Sequence, residues 1–207
     1  LNEKTKILGI GCGSGGQTIT RAKNTDAQIT AVDMLPQFLE KLMKKAKENN
    51  LIDRITAKEM LMDNLVFDEN SFDVIWSEGA IYNIGFEKGL SLWRKYLKDN
   101  GYIAISEISW LTDTRPEEIE KYWVNAYPEI DTIEKCGYTS VAHFALDDKC
   151  WLDNYYQPVL ERSEAFMKKY DYADEVKEFI EAGKIEADMY NRFKDYYSYV
   201  FYIAKKK

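Results

Sequence analysis

The chain has 207 residues, of which 45% are hydrophobic, 30% charged and 14% aromatic, a composition typical of a folded globular protein rather than a disordered one. This length suits one domain with a sizeable core, and no apolar run approaches the roughly 20 residues that a membrane span needs. The formal net charge of −7 argues against nucleic acid as a partner, because phosphate binding requires a basic face.

The first half of the chain alternates between predicted strands and helices. Apolar runs predict five strands, over residues 5–10, 28–32, 54–59, 72–77 and 102–109. The spacing of apolar side chains predicts helices over residues 15–23, 37–49 and 86–97, and the pair Asn100-Gly101 indicates the end of the last helix. Strands linked by helices predict a parallel, doubly wound α/β sheet.

The second half contains longer charged segments and only two further strands. Helices are predicted over residues 115–126, 130–135, 154–169 and 173–195, and strands over residues 138–146 and 198–204. Two late strands separated by helices predict a mostly parallel, seven-stranded sheet with an antiparallel last strand and helices on both faces. We expect a single domain over residues 1–207, with a helical cover contributed by about 110–136 and 153–195.

The most informative segment is Lys6–Gly16, where an apolar strand enters a glycine-dense turn. Glycine permits positive φ and lets the backbone approach a ligand closely, and a helix that starts after the turn directs its free N–H groups at that ligand. Asp33 ends the next predicted strand, twenty residues after Gly13, and its carboxylate can accept hydrogen bonds from both hydroxyls of a ribose. These features predict a pocket for an adenosine-containing cofactor.

The glycine turn by itself leaves two cofactor classes open. Gly11, Gly13 and Gly16 satisfy the pattern GxGxxG of dinucleotide-binding domains, so an NAD(P)-dependent oxidoreductase is a competing interpretation. The strand–turn–helix context and Asp33 fit both classes. Asp63 and the final strand favour the interpretation that follows.

The glycine turn resembles the first motif of the class I S-adenosylmethionine-dependent methyltransferases, with Gly11, Gly13 and Gly15 at the motif's glycines. In this resemblance Asp33 is the acidic residue that holds the ribose, and Met62-Asp63-Asn64 is the segment that meets the adenine ring. Ser77 opens the segment beside the methionine part of the cofactor. The resemblance implies a Rossmann-like fold and these cofactor-binding residues: Gly11, Cys12, Gly13, Gly15, Asp33, Met34, Met62, Asp63 and Ser77.

The resemblance covers essentially the whole chain. Leu92–Gly101 and Tyr102–Ser106 match the family's helix and fifth strand, and the segments SEGAIYNIGF (77–86) and AYPEI (126–130) resemble a group of bacterial small-molecule methyltransferases. It implies methyl transfer from S-adenosylmethionine to a small-molecule acceptor by in-line displacement, with S-adenosylhomocysteine as product.

Two positions depart from the family pattern. Gly9 stands where the family usually has Asp or Glu, a carboxylate that braces the glycine turn, so we expect weaker cofactor binding. The first strand begins near Leu1, where the family usually has N-terminal lid helices, so we expect these helices to be absent. Both departures leave open a catalytically inactive S-adenosylmethionine-binding protein.

Substrate and catalytic residues have weaker signals. Glu78 and Tyr82 follow the fourth predicted strand, and Trp110 follows the fifth, at the strand ends that face the ligand crevice of open α/β sheets. We interpret all three as candidate substrate contacts; a surface or ion-paired role for Glu78 is the alternative. Glu78 and His143, the single histidine, are the candidate bases, although a lone histidine in a strand is commonly structural.

The cysteines give no site of their own. Cys12, Cys136 and Cys150 form no CxxC pair, which predicts neither a disulfide framework nor a metal site. With no signal peptide visible, this cysteine usage fits a reducing cytoplasm. The expected partner is a small-molecule methyl acceptor, with no nucleic acid or membrane partner, and a homodimer is left open.

Overall fold

Seven strands form one sheet in the computed structural model, which describes residues 1–122 and 130–207. The strands are β1 (Lys6–Ile10), β2 (Gln28–Asp33), β3 (Ile55–Glu59), β4 (Phe72–Glu78), β5 (Leu97–Trp110), β6 (Tyr138–Ala145) and β7 (Tyr197–Lys206). Their order is β3-β2-β1-β4-β5-β7-β6. The first five pair in parallel and the β5-β7-β6 end is antiparallel, which confirms the predicted fold class.

Eight α-helices accompany the sheet in the described residues. They are α1 (Gly16–Asn24), α2 (Pro36–Glu48), α3 (Phe86–Trp93), α4 (Glu117–Glu120), α5 (Ile130–Lys135), α6 (Asp148–Trp151), α7 (Gln157–Lys169) and α8 (Asp174–Phe193). Short 3₁₀ turns cover Ile52–Arg54, Ile81–Asn83 and Arg94–Tyr96, and a π-helical turn covers Leu152–Tyr156. Of the helices in these parts of the chain, none has the length and apolarity needed to cross a bilayer.

The helix predicted to end at Asn100-Gly101 ends at Trp93 instead, and β5 already begins at Leu97. The reason is a bulge: Phe72 pairs with Leu97 and Val74 with Tyr102, so the β5 side carries extra residues between the two pairs. Asn100 adopts a left-handed φ of 61° within that bulge. An Asn-Gly pair is compatible with either a helix end or a strand bulge, and strand pairing decides between them.

Within the described part of the predicted helix over residues 115–126, up to residue 122, the structure has the single turn α4. Residues 123–129 lie outside the described residues, and with them the segment 126–129 of the motif AYPEI. The other late elements agree with the predicted ones to within a few residues, and the helix predicted from residue 154 begins with the π-helical turn.

The chain divides into two compact units. The α/β unit contains Leu1–Ile108, Tyr127–Phe144 and Val200–Lys207, and the helical unit contains Ser109–Ala126 and Ala145–Tyr199. The single domain over residues 1–207, with its helical cover, stays a prediction.

The α/β unit has a core on each face of its sheet. Alternating side chains along β1 show this directly, because Ile7 belongs to one buried cluster and Leu8 to the other. Leu42 of α2 packs in the Ile7 cluster, and Trp93 of α3 packs in the Leu8 cluster. Strands buried on both faces read as nearly continuous apolar runs, which is why β1 and β4 were recognisable in the sequence.

The helical unit has an aromatic core around Trp151. The Trp151 ring centroid lies 4.5 Å from that of Tyr199, 5.0 Å from Tyr190 and 5.6 Å from Tyr156. These rings are packed as expected for the interior of a small helical layer.

Candidate functional site

The turn that follows β1 has the backbone geometry that its glycines predict. Gly11, Gly13 and Gly15 have φ values of 66°, 51° and 83°. A Cβ at Gly13 would meet no atom within 4 Å, so this position borders open space. At Gly15 a Cβ would lie 2.3 Å from Leu42 Cδ1, so glycine is required there for α2 to pack against the turn.

Asp33 ties this turn to the end of β2. Its Oδ2 accepts the Gly13 N–H at 2.8 Å, and its Oδ1 accepts the Leu35 N–H at 3.0 Å. The Cys12 N–H also bonds to Val32 O, at 3.0 Å. A carboxylate has about four lone-pair sites. Asp33 can therefore brace the turn and still accept the hydroxyls of a ribose.

The residues after β3 lie beside the end of β2. The Met60 N–H donates to Asp33 O at 3.1 Å, and the Trp93 indole donates to Met62 O at 2.7 Å. Met62 is half-buried, whereas the Met34 side chain is 58% exposed. The Asp63 carboxylate is exposed and lies 3.4 Å from Lys88 Nζ. Met34 follows Asp33 directly in the chain, and Met62 Cε lies 3.6 Å from the position that a Cβ would take at Gly11.

The carboxyl end of β4 holds a buried hydroxyl without a partner. Ser77 is 1% exposed, and its Oγ makes no hydrogen bond within the described residues. Buried hydroxyls are normally satisfied, so this one fits a ligand group in the crevice. Together with the open face of Gly13 and the spare lone pairs of Asp33, it shows that the residues present fit an adenosine-containing cofactor.

Glu78 adopts the ion-paired alternative that the sequence left open. Its Oε1 lies 3.0 Å from Arg21 Nη1 and accepts the Trp76 indole N–H at 2.5 Å. The Arg21 guanidinium stacks over the Trp76 ring at 4.3 Å. Burial lowers the pKa of Arg21, and the Glu78 carboxylate counteracts this effect. Glu78 therefore has a defined structural role in joining α1 to β4.

Glu107 is a buried acidic residue that the sequence did not single out. Near the carboxyl end of β5 it is only 6% exposed, and its Oε1 accepts the Ile108 N–H at 2.9 Å. The backbone of Tyr82 also bonds to its carboxyl group. Burial raises the pKa of Glu107 to about 7, against the opposing effect of both backbone bonds. The available signal was an acidic residue within the apolar run Tyr102–Trp110.

Three candidate residues remain, namely Tyr82, His143 and Trp110. Tyr82 is 60% exposed in the turn after β4. His143 is exposed on the edge strand β6, four strand spacings or roughly 19 Å from β1, and its ring stacks on Tyr202. Trp110 belongs to the helical unit, where Arg115 lies 5.4 Å from its ring centroid.

The Cys12 thiol in the glycine turn is unreactive. Burial, aided by the charge of Asp33, raises its pKa to about 12, so the thiol is neutral at physiological pH. The described residues contain no group of three or more His, Cys, Asp and Glu side chains that could hold a metal ion.

Residues 7–101 match a protein family described as a methyltransferase domain. A ubiquinone/menaquinone biosynthesis C-methyltransferase UbiE from Citrifermentans bemidjiense is 29% identical over 136 residues, which cover 63% of this chain and 57% of that protein. A sarcosine/dimethylglycine N-methyltransferase from Aphanothece halophytica is 27% identical over 199 residues, covering 87% of this chain and 71% of that protein. The chain thus spans less than two thirds of the length of the first of these relatives.

Solved structures share the fold over the full length of the chain. One of them is an S-adenosylmethionine-dependent methyltransferase from Geobacter sulfurreducens, in complex with S-adenosyl-L-homocysteine. It has a TM-score of 0.86 at 21% sequence identity, and the match covers 100% of this chain and 86% of that one. At this identity the likeness establishes the fold.

Proposed function

We propose that this chain belongs to the class I S-adenosylmethionine-dependent methyltransferases and transfers a methyl group from S-adenosylmethionine to a small-molecule acceptor. The observation that carries the proposal is the glycine turn, where Gly13 borders open space while its N–H is held by Asp33. The family match over residues 7–101 favours this cofactor over a nicotinamide dinucleotide.

S-adenosylmethionine supplies an electrophilic methyl group on a good neutral leaving group, so the protein's residues mainly bind, orient and exclude water. In this proposal Asp33 accepts the ribose hydroxyls, and Met34, Met62 and Asp63 border the adenine ring. The unpartnered Ser77 hydroxyl serves the methionine part of the cofactor.

The glycine turn contributes its backbone rather than its side chains. The backbone of the turn passes the cofactor at Gly11, Cys12, Gly13 and Gly15. Helix α1 begins immediately afterwards, at Gly16. The first N–H groups of a helix are not used within the helix, so they are available to a polar ligand. Lys45 Nζ donates to Ser14 O at 2.9 Å, which fixes the turn from the side of α2.

Acceptor contacts through Glu78, Tyr82 and Trp110, and base catalysis by Glu78 or His143, stay predictions. So do a homodimer and a cytoplasmic location, the latter supported by three free cysteines. An acceptor that binds Glu78 would have to share its carboxylate with Arg21 and Trp76.

Substitution of Asp33 tests the proposal. We expect the full chain to bind S-adenosylmethionine and S-adenosylhomocysteine at micromolar concentrations, and Asp33→Ala to weaken both by ~10-fold or more through loss of the hydrogen bonds to ribose and to Gly13. Titration calorimetry measures both affinities.

Asp26→Ala is the matched control, because Asp26 is an exposed residue outside the turn and its loss should leave the affinity unchanged. Tight binding of NADH with no binding of either S-adenosyl compound would refute the proposal.

A further inference from the structure

Glu107 is the only buried acidic residue in the ranges 1–122 and 130–207. Every other Asp and Glu of the described chain reaches solvent at least in part. It lies near the carboxyl end of β5, a strand that pairs in parallel with β4. In open α/β sheets this edge faces the ligand crevice.

Strand pairing brings Glu107 close to the unpartnered hydroxyl of Ser77. Ser77 pairs with Ile105 across β4 and β5, and side chains two residues apart point to the same face of a strand. Ser77 and Glu107 therefore share one face of the sheet, with Cα atoms roughly 8 Å apart from strand spacing and rise. Two polar groups buried on one apolar face at the crevice form a candidate polar subsite.

The turn after β4 lies over the same place. The Tyr82 backbone bonds to the Glu107 carboxyl group, and Gly79 N–H bonds to Ser106 O at 3.2 Å and Ser106 Oγ at 3.1 Å. The end of β5 is therefore held against the segment 79–82. In the proposed function Ser77 serves the cofactor, which leaves Glu107, two residues beyond Ile105 along β5, for the acceptor.

A carboxyl group is costly at such a position. Burial disfavours its charged form, and a neutral amide of the same shape would be buried at lower cost. A pKa of about 7 gives the group something that an amide lacks, the ability to take up and release a proton at physiological pH. A protonated nucleophile must lose a proton before it can react, and such a group can accept that proton.

We propose that Glu107 contacts the methyl acceptor and takes a proton from it, and that the acceptor is a small amine. The inference rests on the proposed methyl transfer. An aliphatic amine is an ammonium ion at neutral pH, so it is attracted to a buried carboxylate and has no free lone pair until it loses a proton.

Proton transfer to Glu107 precedes methyl transfer. The ammonium gives one proton to a Glu107 oxygen, and its nitrogen lone pair then forms the new N–C bond to the methyl carbon. The C–S bond breaks, with its electron pair remaining on sulfur. Glu107 afterwards releases the proton to solvent and returns to its carboxylate form.

The test uses S-adenosylmethionine with a labelled methyl group and a defined mixture of small amines, alcohols, phenols and thiols. NMR of the products identifies the methylated atom. We expect N-methyl products, and a rate that falls by about 100-fold or more in Glu107→Gln, the usual contribution of general-base catalysis. The affinity for S-adenosylhomocysteine should remain within twofold, because the cofactor contacts are intact.

Glu87→Gln on α3 is the matched control, an exposed glutamate whose loss should leave the rate unchanged. Three results would each overturn the role of Glu107. They are a label found only on carbon, oxygen or sulfur, no labelled product although S-adenosylmethionine binds, and a Glu107→Gln rate within threefold of the native rate. Failure of S-adenosylmethionine to bind at all would instead remove the proposed function.

Discussion

At the scale of single residues, two acidic side chains have partners that stabilise the fold, and a third is buried at a cost in stability. Asp33 and Glu78 are carboxylates in partnerships: Asp33 accepts two backbone N–H groups, and Glu78 pairs with Arg21. Glu107 differs because burial dominates its environment and raises its pKa from 4.5 to about 7. Burial thus raises the pKa of Glu107, because it disfavours the charged form of the carboxyl group.

The raised pKa of Glu107 should make the free energy of unfolding depend on pH. Protonated Glu107 contributes its full stability below about pH 4.5, and this contribution is lost as the pH rises through 7. Glu107→Gln stays neutral throughout, so at pH 8 we expect it to exceed the native chain in free energy of unfolding by about 3 kcal/mol, from a difference of some 2.5 pKa units. Urea unfolding at pH 8 and pH 4.5 measures the effect.

At pH 4.5 the same two proteins should have nearly equal stability, since Glu107 is then protonated in the native fold. The exposed control Glu87→Gln should show no such difference between the two pH values. Equal stability of Glu107→Gln and the native chain at both pH values would contradict a strained, buried carboxyl group.

At the scale of elements, β1 and the turn after it are where we propose that the cofactor binds. The strand lies between β2 and β4, where the strand order reverses, and crevices form at such switch points. Gly9 sits in this strand, paired with Ala31 and Trp76. A Cβ at Gly9 would have its nearest contact at 3.9 Å, to Thr30 O, so the strand has room for the first carbon of a side chain.

Gly9→Asp tests whether the missing carboxylate weakens cofactor binding. We expect a several-fold gain in affinity for S-adenosylmethionine, since a carboxylate next to the turn can accept backbone N–H groups and attract the cofactor's ammonium. Calorimetry compares this variant with Gly9→Asn, which has the same volume without the charge and should gain less. An affinity unchanged in both variants would show that the fold needs no acid at this position.

At the scale of the whole molecule, cofactor binding should be visible as added stability. A ligand that binds only the folded state stabilises it by RT ln(1 + [L]/Kd), which is about 2.7 kcal/mol at 100 times Kd. We expect S-adenosylhomocysteine at that excess to raise the free energy of unfolding by this amount. Because the chain has two compact units, unfolding should be followed both by circular dichroism and by hydrogen exchange of the glycine turn.

NADH at the same concentration is the control for this experiment. It should leave the stability nearly unchanged if the turn selects S-adenosyl compounds. A larger shift with NADH than with S-adenosylhomocysteine would favour the dinucleotide interpretation of GxGxxG.

Much of the fold and of the cofactor side of the site follows from local sequence. Buried strands such as β1 carry continuous apolar runs, and the residues of the glycine turn lie next to one another in the chain, so their geometry follows from local backbone preferences. Asp33 was recognisable because it ends the neighbouring strand. The family resemblance added the roles of Met62, Asp63 and Ser77, which remain proposals.

The tertiary structure alone decided the partners of the ionisable groups. Arg21 and Glu78 are 57 residues apart, so nothing local indicates their ion pair, and the turn after β4 covers Glu107 from a different segment of the chain. Likewise, the bulge at Asn100-Gly101 exists because β5 pairs with β4. Local sequence thus determined the turn and the strands, because both depend on nearby residues. Burial and charge pairing depend on distant residues, and only the folded chain brings these together.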